Sequence, residues 1–407
     1  MVSWGLMNKL RTAELRHAEY FESILQEADE LFTRGGNDTR RGLELFDINR
    51  QNIVAAQAWS EKYASDNEAV ARICNDFGTD GPFVLDLRQS SRENIRWFEA
   101  ALTVSQQLGD KADEGKMLGN LGWTYSRQGE IERAIELYQQ QMNVAIESDD
   151  LAGQASAHGN LGSAYFMQGD IKSASESYEQ SLEISRKISD SYLAAGALGG
   201  LGNCNTILGR IDSAQECYDE QLTLSREAGD RRGEGNALNS LASIYRKRGD
   251  IERAMSLCEE RIALARQLGD RRGEAVSLGN LGLLYRKQGE LQIAVDCIGQ
   301  DLAIAVEIGD VYAEIAPAGN LSDIYSEIGD KQRAQEFCEQ GLRATRAVGN
   351  RRAEGTALFR LGNLLYEQGD RQEAIKCAEA ALEIREAIND ERAATIRTRL
   401  NEWKGKD

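Results

Sequence analysis

The chain has 407 residues, a formal net charge of −18, seven cysteines and only two prolines, Pro82 and Pro317. That charge excludes nucleic acid or an anionic membrane surface as the principal partner, because like charges would have to meet. No apolar run is long enough to span a bilayer, the first residues lack a signal-peptide core and no CxxC occurs, so a reduced, cytoplasmic, all-helical protein is expected, without membrane insertion.

Leu10, Leu15, Ala18, Phe21, Ile24, Leu25, Ala28 and Leu31 recur at helical spacing up to Gly35-Gly36. A second helix is predicted from near Asp38 towards Tyr63, carrying Leu43, Phe46, Ile53, Ala56 and Trp59. The stretch Asn75–Pro82 (NDFGTDGP) holds two glycines and a proline, which predicts a break or distortion there. From Arg92 a 40-residue period begins, with Trp97, Phe98 and Leu102 forty residues ahead of Leu137, Tyr138 and Met142. Residues 91–108 therefore read as the second helix of a degenerate first repeat, whose first helix is the irregular stretch 70–88. Seven full repeats follow at 114–153, 154–193, 194–233, 234–273, 274–313, 314–353 and 354–393. Leu121, Gly129 and Ala134 return in register through Leu361, Gly369 and Ala374, and a period of this length signals a solenoid. The tail 394–407 starts another unit and turns polar, as a solubilising cap should. The expected organisation is a helical block over 1–90, a superhelix over 91–393 and a capping helix over 394–407.

Each repeat divides into a helix A and a helix B. Gly129 and its equivalents are placed to stop helix A in a left-handed conformation. Asp170, Asp250, Asp330 and Asp370 then cap helix B, and Gly-Asp pairs such as Gly229-Asp230, Gly269-Asp270 and Gly309-Asp310 end helix B and restart helix A. Pro317 lies within helix A of the sixth repeat and should kink it or delay its start. Cys217, Cys258, Cys297, Cys338 and Cys377 recur near the same period and read as packing residues.

Leu121, Gly122, Tyr125, Gly129, Ala134 and Tyr138 occupy the places that identify a tetratricopeptide repeat, here of a long, 40-residue kind, and the likeness covers roughly residues 91–393. The resemblance implies an all-α, right-handed α-solenoid of tandem helix-turn-helix repeats. The strings GNLGWTYSRQGEIERAIELY and IALARQLGDRRGE resemble the Pins/LGN adaptors and, less closely, kinesin light chain. Departures are local. Asn205 replaces the helix A tyrosine, and Cys258, Ile298, Cys338 and Ala378 replace the helix B aromatic, which predicts looser packing. The segments HAEYFESILQEADELF and FDINRQNIVAAQAW resemble the helices that join NTPase modules to sensor repeats in STAND-type ATPases. No P-loop accompanies them, since Gly109–Lys116 (GDKADEGK) has the wrong glycine spacing and Met117 where Ser or Thr is needed.

No catalytic constellation or cofactor motif is present. His17 and His158 are the only histidines and lie far apart, and zinc spacings and nucleophile elbows are absent, so a non-enzymatic protein without metal or cofactor is expected. The residues that vary between repeats are more informative. Counting from Gly115, helix A positions 4, 7, 8 and 11 share one face and carry the recurring Leu, Gly and Tyr. Positions 2, 5, 6, 9, 12 and 13 lie opposite, and the resemblance makes that face the concave groove. Position 6 supplies Asn120, Asn160, Asn280 and Asn320, carboxamides able to hold an extended peptide backbone, as related asparagines do in the families named, or to satisfy backbone between helices. Trp123, at position 9, is a candidate anchor. At positions 12 and 13, Arg127 opens the row, Phe166, Met167 and Ile207 are apolar, and Arg246, Lys247, Arg286 and Lys287 form a cationic cluster. Glu327 and Glu367, beside Asp323, follow in the last two repeats. The cations are expected either to meet a ligand's carboxylates or to pair with neighbouring acids. A second basic set, Arg231-Arg232, Arg271-Arg272 and Arg351-Arg352, is expected to bridge back to acids of the preceding repeat. The functional expectation is an adaptor for an extended, acidic, partly apolar peptide or protein segment. The alternatives are the sensor half of a STAND-type system, partnered by a separate NTPase or effector module, and a self-assembling scaffold.

Overall fold

A computed structural model describes residues 2–34 and 37–405, with side chains for 11–34 and 38–405. The packing of Leu10, the stop at Gly35-Gly36 and the last two residues of the tail lie outside the described residues. Among the described residues there are only helices and turns. The leading helices are α1 (Val2–Arg34), α2 (Asn37–Tyr63), α3 (Glu68–Thr79), α4 (Pro82–Arg88) and α5 (Ser91–Leu108). Seven A/B pairs follow: α6 (Lys111–Arg127) with α7 (Ile131–Glu147), α8 (Leu151–Gln168) with α9 (Ile171–Lys187), and α10 (Ser191–Ile207) with α11 (Ile211–Ala228). Next come α12 (Arg231–Arg248) with α13 (Ile251–Leu268), and α14 (Arg271–Gln288) with α15 (Leu291–Glu307). The last two pairs are α16 (Ile315–Ile328) with α17 (Lys331–Ala347) and α18 (Arg351–Gln368) with α19 (Arg371–Ala387), ahead of a final α20 (Ala393–Lys404). This is an all-α solenoid. Most A helices start a turn ahead of the repeat boundaries read from sequence, because the capping Asp at 110, 150 or 190 opens the helix.

The chain forms two compact units. The first runs to Ile244 and includes Gln267–Gly269; the second comprises Tyr245–Arg266 and the chain from Asp270 on. In the first unit, Leu25, Phe46, Ile53, Phe77 and Leu85 of the leading helices share one core with Trp97, Met117 and Leu121. The break expected across Asn75–Pro82 falls only at its end. Helix α3 runs to Thr79, and Pro82 takes the first position of α4, where a missing amide is harmless. Gly78 sits inside α3 because a Cβ there would lie 2.6 Å from that of Ala101. It serves close approach, not a turn.

The repeat punctuation follows the residues that predicted it. Gly129, Gly169, Gly209, Gly249, Gly289, Gly329 and Gly369 all have positive φ. Asp170, Asp330 and Asp370 accept from the amides of Ser173, Arg333 and Glu373 at the starts of α9, α17 and α19, and Asp250 accepts from Arg253. Asp149, Ser189 and Asn389 adopt the left-handed conformation without being glycine, a strain of about 1 kcal/mol each. Helix α16 starts late, after a turn over 311–314, which puts Pro317 in its first turn without a kink. All seven cysteines are free, and burial pushes the thiols of Cys74 and Cys258 up to about 12.

At three of the departures from pattern another side chain takes up space. Where helix B carries tyrosine, helix A carries glycine: Cβ atoms at Gly122, Gly162 and Gly202 would lie 2.4, 2.8 and 2.4 Å from the rings of Tyr138, Tyr178 and Tyr218. Where helix B carries Cys338, helix A carries the larger Ser322, whose hydroxyl donates to the carbonyl of Ala334 at 2.8 Å. Ile298 packs directly over Gly282, and opposite Ala378 the space near Gly362 is taken by Trp403 of α20. The cap is thus two-faced, burying Ile396, Leu400 and Trp403 while Arg397, Arg399 and Glu402 stay exposed.

The second basic set does not bridge backwards as expected. Arg231, Arg271 and Arg351 each grip the Glu three residues on, Glu234, Glu274 and Glu354, all buried. Arg226, Arg266 and Arg346 grip the same carboxylates from the end of the previous helix B. Arg271 also reaches forward to Glu307, Arg272 to Asp310 and Arg352 to Asp390. Burial raises the Glu234 carboxyl, but Arg226 and Arg231 outweigh it and hold it below the ordinary 4.5. A carboxyl depressed on folding adds stability that is present above the unfolded pKa and lost as pH falls below it. Glu234→Gln is expected to lower stability by about 1–3 kcal/mol at pH 7, the worth of hydrogen bonds to a charged group. In urea titrations the gap from the parent chain should close as pH drops below 4.5; a pH-independent gap would argue against the clamp.

Candidate functional site

Two surface cavities are lined exclusively by A helices, and both belong to the second unit. The first encloses about 410 Å³. Arg246 of α12, Leu283, Leu284, Arg286 and Lys287 of α14, and Glu327 of α16 line it. Residues three and four apart stack on one helical face, so 283, 286 and 287 turn to the cavity together. Arg286 is committed within the chain, its Nε donating to Glu327 Oε1 at 3.0 Å, and the paired carboxylate holds its guanidinium above its ordinary value. Arg246, Lys247 and Lys287 have no carboxylate within ion-pair distance among the described residues, and Lys247 and Lys287 are exposed. Of the four cations singled out in the sequence, three carry charge that the protein does not neutralise.

The second cavity, about 300 Å³, lies between α16 and α18 and includes Asp323, Ser326, Phe359, Arg360, Asn363 and Glu367. Arg360 forks onto Asp323, Nε to Oδ1 at 2.6 Å and Nη2 to Oδ2 at 3.1 Å. In the first unit the variable face carries exposed apolar side chains. Trp123, Met167 and Ile207 are 50%, 55% and 58% exposed, which is high for large apolar side chains. Ser126, one turn from Trp123, donates to Met167 Sδ at 3.2 Å. Phe166 instead lies half-buried against Ala174, Tyr178 and Leu201, and Arg127 is paired with Asp86 of α4.

The asparagine row divides. Asn160 donates to Gln141 Oε1 at 3.1 Å, which is the local role, and Asn280 also interacts within the chain; Asn120 and Asn320 are half-buried like them. Beneath the row lies a set of helix B residues that sequence reasoning missed. Gln141, Gln221 and Asp301 reach over Gly119, Gly199 and Gly279, where a Cβ would come within 3.0, 2.7 and 2.4 Å. Burial pushes the Asp301 carboxyl up to about 7. The available signal was a recurring helix A glycine, followed by Asn at 119 and 279 and by Gly at 199, matched with a polar residue on helix B, legible only once the two helices are in register. Burial lowers the pKa of His158, whereas His17 packs on the Phe21 ring 4.6 Å away. Among the described residues, no group of three or more His, Cys, Asp or Glu could hold a metal ion, and no helix is long and apolar enough to cross a membrane.

Tandem helix pairs with glycine-stopped A helices and small-on-aromatic contacts define a helical repeat protein of the interaction type. The MalT-like tetratricopeptide region matches residues 120–276, and tetratricopeptide repeat families match 92–147, 275–308 and 314–387. The chain belongs to the tetratricopeptide repeat proteins. Comparison with curated proteins gives no match. Among solved structures, a STAND protein with a tetratricopeptide repeat sensor from Pyrococcus horikoshii is similar at 17% identity and a TM-score of 0.62. The match covers 86% of this chain and 55% of that one, so this chain spans about half its length. The apo quorum sensor NprR from B. thuringiensis aligns at 13% identity over 90% of this chain and 99% of its own, with a TM-score of 0.58. Apo RapI aligns at 16% identity over 66% and 96%, with a TM-score of 0.50. These likenesses concern the fold, and none supports a particular kinship with the Pins/LGN adaptors.

Proposed function

We propose that the chain is a non-enzymatic recognition module that captures an extended, acidic and partly apolar peptide or protein segment in the cytoplasm, through the variable face of its A helices. The observation that carries this reading is the cavity of the second unit. Arg246 and Lys287 line it beside Leu283 and Leu284, its one acid, Glu327, is already paired with Arg286, and Lys247 follows Arg246 on α12, in a chain whose net charge is −18. Clustered like charges repel, so a carboxylate arriving there relieves repulsion and gains charge-assisted hydrogen bonds, and the leucines accept an aliphatic neighbour. Trp123, Met167 and Ile207 offer apolar contact in the first unit, and Asn120 and Asn320 offer backbone contact. Arg286 acts as a positioning residue, since Glu327 already holds it. Partly exposed charge contacts are worth about 0.2–1 kcal/mol each, so reversing three should lower affinity for an acidic peptide by about thirtyfold. The test is Arg246→Glu/Lys247→Glu/Lys287→Glu in the full chain, titrated with fluorescent acidic peptides while circular dichroism confirms folding. Undiminished binding by a folded triple variant sinks the reading.

The sensor half of a STAND-type system is the second reading, and one observation favours it. The match to the STAND protein covers 86% of this chain, more than the repeats and the cap can supply, so it extends into the leading helices. On this reading the leading helices contact an NTPase module, and ligand capture by the repeats releases it. Affinity purification of the full chain followed by an ATPase assay tests the association. Absence of any co-purifying nucleotide-binding protein counts against it.

A further inference from the structure

The cavity between α16 and α18 has the opposite charge balance from the one beside α14. At the first, three cations stand against one carboxylate; at the second, two carboxylates, Asp323 and Glu367, stand against one guanidinium, that of Arg360. That guanidinium is engaged by both oxygens of Asp323 and so is the less available to a ligand anion. Glu367 is exposed, and no cation lies within ion-pair distance of its carboxylate among the described residues. Lys331 donates to the main-chain carbonyl of Glu367 at 2.9 Å, not to its carboxylate. Phe359 contributes a half-buried ring. Asn363 spends its amide on the Phe359 carbonyl at 2.9 Å, which leaves its side-chain oxygen as an acceptor. A free carboxylate, an amide oxygen, a hydroxyl from Ser326 and an aromatic face together suit an ammonium or guanidinium. The volume of about 300 Å³ is at the small end for ligand sites and large enough for one side chain.

We propose that this cavity receives a lysine or arginine side chain of the same partner whose carboxylates occupy the α14 cavity, so that the second unit reads a segment with separated negative and positive charges. The inference rests on the recognition reading above and sharpens it, because a wholly acidic segment would leave Glu367 facing like charge. Packed helices stand about 8–10 Å apart, which puts one and a half helix spacings between the two cavities at about 12–15 Å. An extended segment covers that in about four residues at 3.3 Å each.

The experiment uses the full chain and fluorescent synthetic peptides with blocked ends. Each peptide carries Asp-Asp-Leu and, four residues to either side, Arg or Ser; a further set moves the Arg through other spacings. The arginine at the four-residue spacing should tighten binding about fivefold over serine in one chain direction, the worth of one partly exposed ion pair. Glu367→Gln should remove that gain and leave the serine peptide unchanged. If the serine peptide binds and arginine adds nothing, the inference is overturned while the recognition reading stands. A gain at every spacing, or one that survives Glu367→Gln, means diffuse attraction to an acidic protein and also overturns it. If no peptide binds, both fall.

Discussion

Trp403→Ala is expected to lower the stability of the C-terminal repeats by about 3–5 kcal/mol, the range for removing a large buried aromatic. Trp403 is 1% exposed, stacks on Tyr366 at 4.7 Å with an interplanar angle of 9°, and approaches the Gly362 position within 3.5 Å. Its carbonyl accepts from Arg371 Nε at 2.5 Å, tying the cap to the start of α19. In the earlier repeats the space over the helix A glycine is filled from within the repeat, by Tyr138, Tyr178 or Tyr218. The last repeat has Ala378 there and takes its aromatic from the cap. Each repeat in a solenoid is stabilised by its own packing and its immediate neighbours, so the loss should be local. Hydrogen exchange should therefore show protection falling first in α18, α19 and α20, with the first unit unchanged. A Trp403→Phe chain should retain most stability, because the ring stays and a buried indole N–H without a partner is removed. Uniform destabilisation, or none, would contradict a capping role.

The 40-residue period was legible because each copy must present the same contacts to its neighbours. Leu121, Gly122 and Ala134 repeat for stacking, and Gly129 repeats because its φ of 83° is strained for any other residue. What sequence could not separate were two uses of one residue type. Gly78 looked like a break yet permits the approach of Ala101, and only the inter-helix distance reveals it. Arg286 and Lys287 are adjacent and equally basic, but Glu327 on another repeat neutralises only the first. Arg127 is likewise taken by Asp86, from a helix outside the periodic region. Such pairings depend on how helices far apart in sequence are set beside each other, which composition and periodicity leave open. The same holds for Gln141, Gln221 and Asp301, whose place over Gly119, Gly199 and Gly279 needs helix B in register with helix A.

The alternation of residue sizes across the A/B contact leads to a prediction about pairs. Gly122→Ser alone should destabilise the first unit by about 1–3 kcal/mol through overpacking, because its Cβ would meet Tyr138 Cε1 at 2.4 Å. Tyr138→Cys alone should cost about 3–5 kcal/mol by emptying a fully buried site. The chain already contains the combined solution forty-residue steps away, where Ser322 faces Cys338 and its hydroxyl finds the Ala334 carbonyl. Ala134 is the equivalent acceptor for a serine at 122. Gly122→Ser/Tyr138→Cys should therefore be more stable than the sum of the single changes by about 2 kcal/mol, within the range seen for contacting residues. The serine occupies part of the space the ring vacated, and the ring is no longer there to clash. Urea denaturation of the four chains closes the cycle. Strict additivity would mean that glycine–tyrosine and serine–cysteine are not interchangeable packings, and that the repeats differ in backbone spacing rather than in side-chain complementarity.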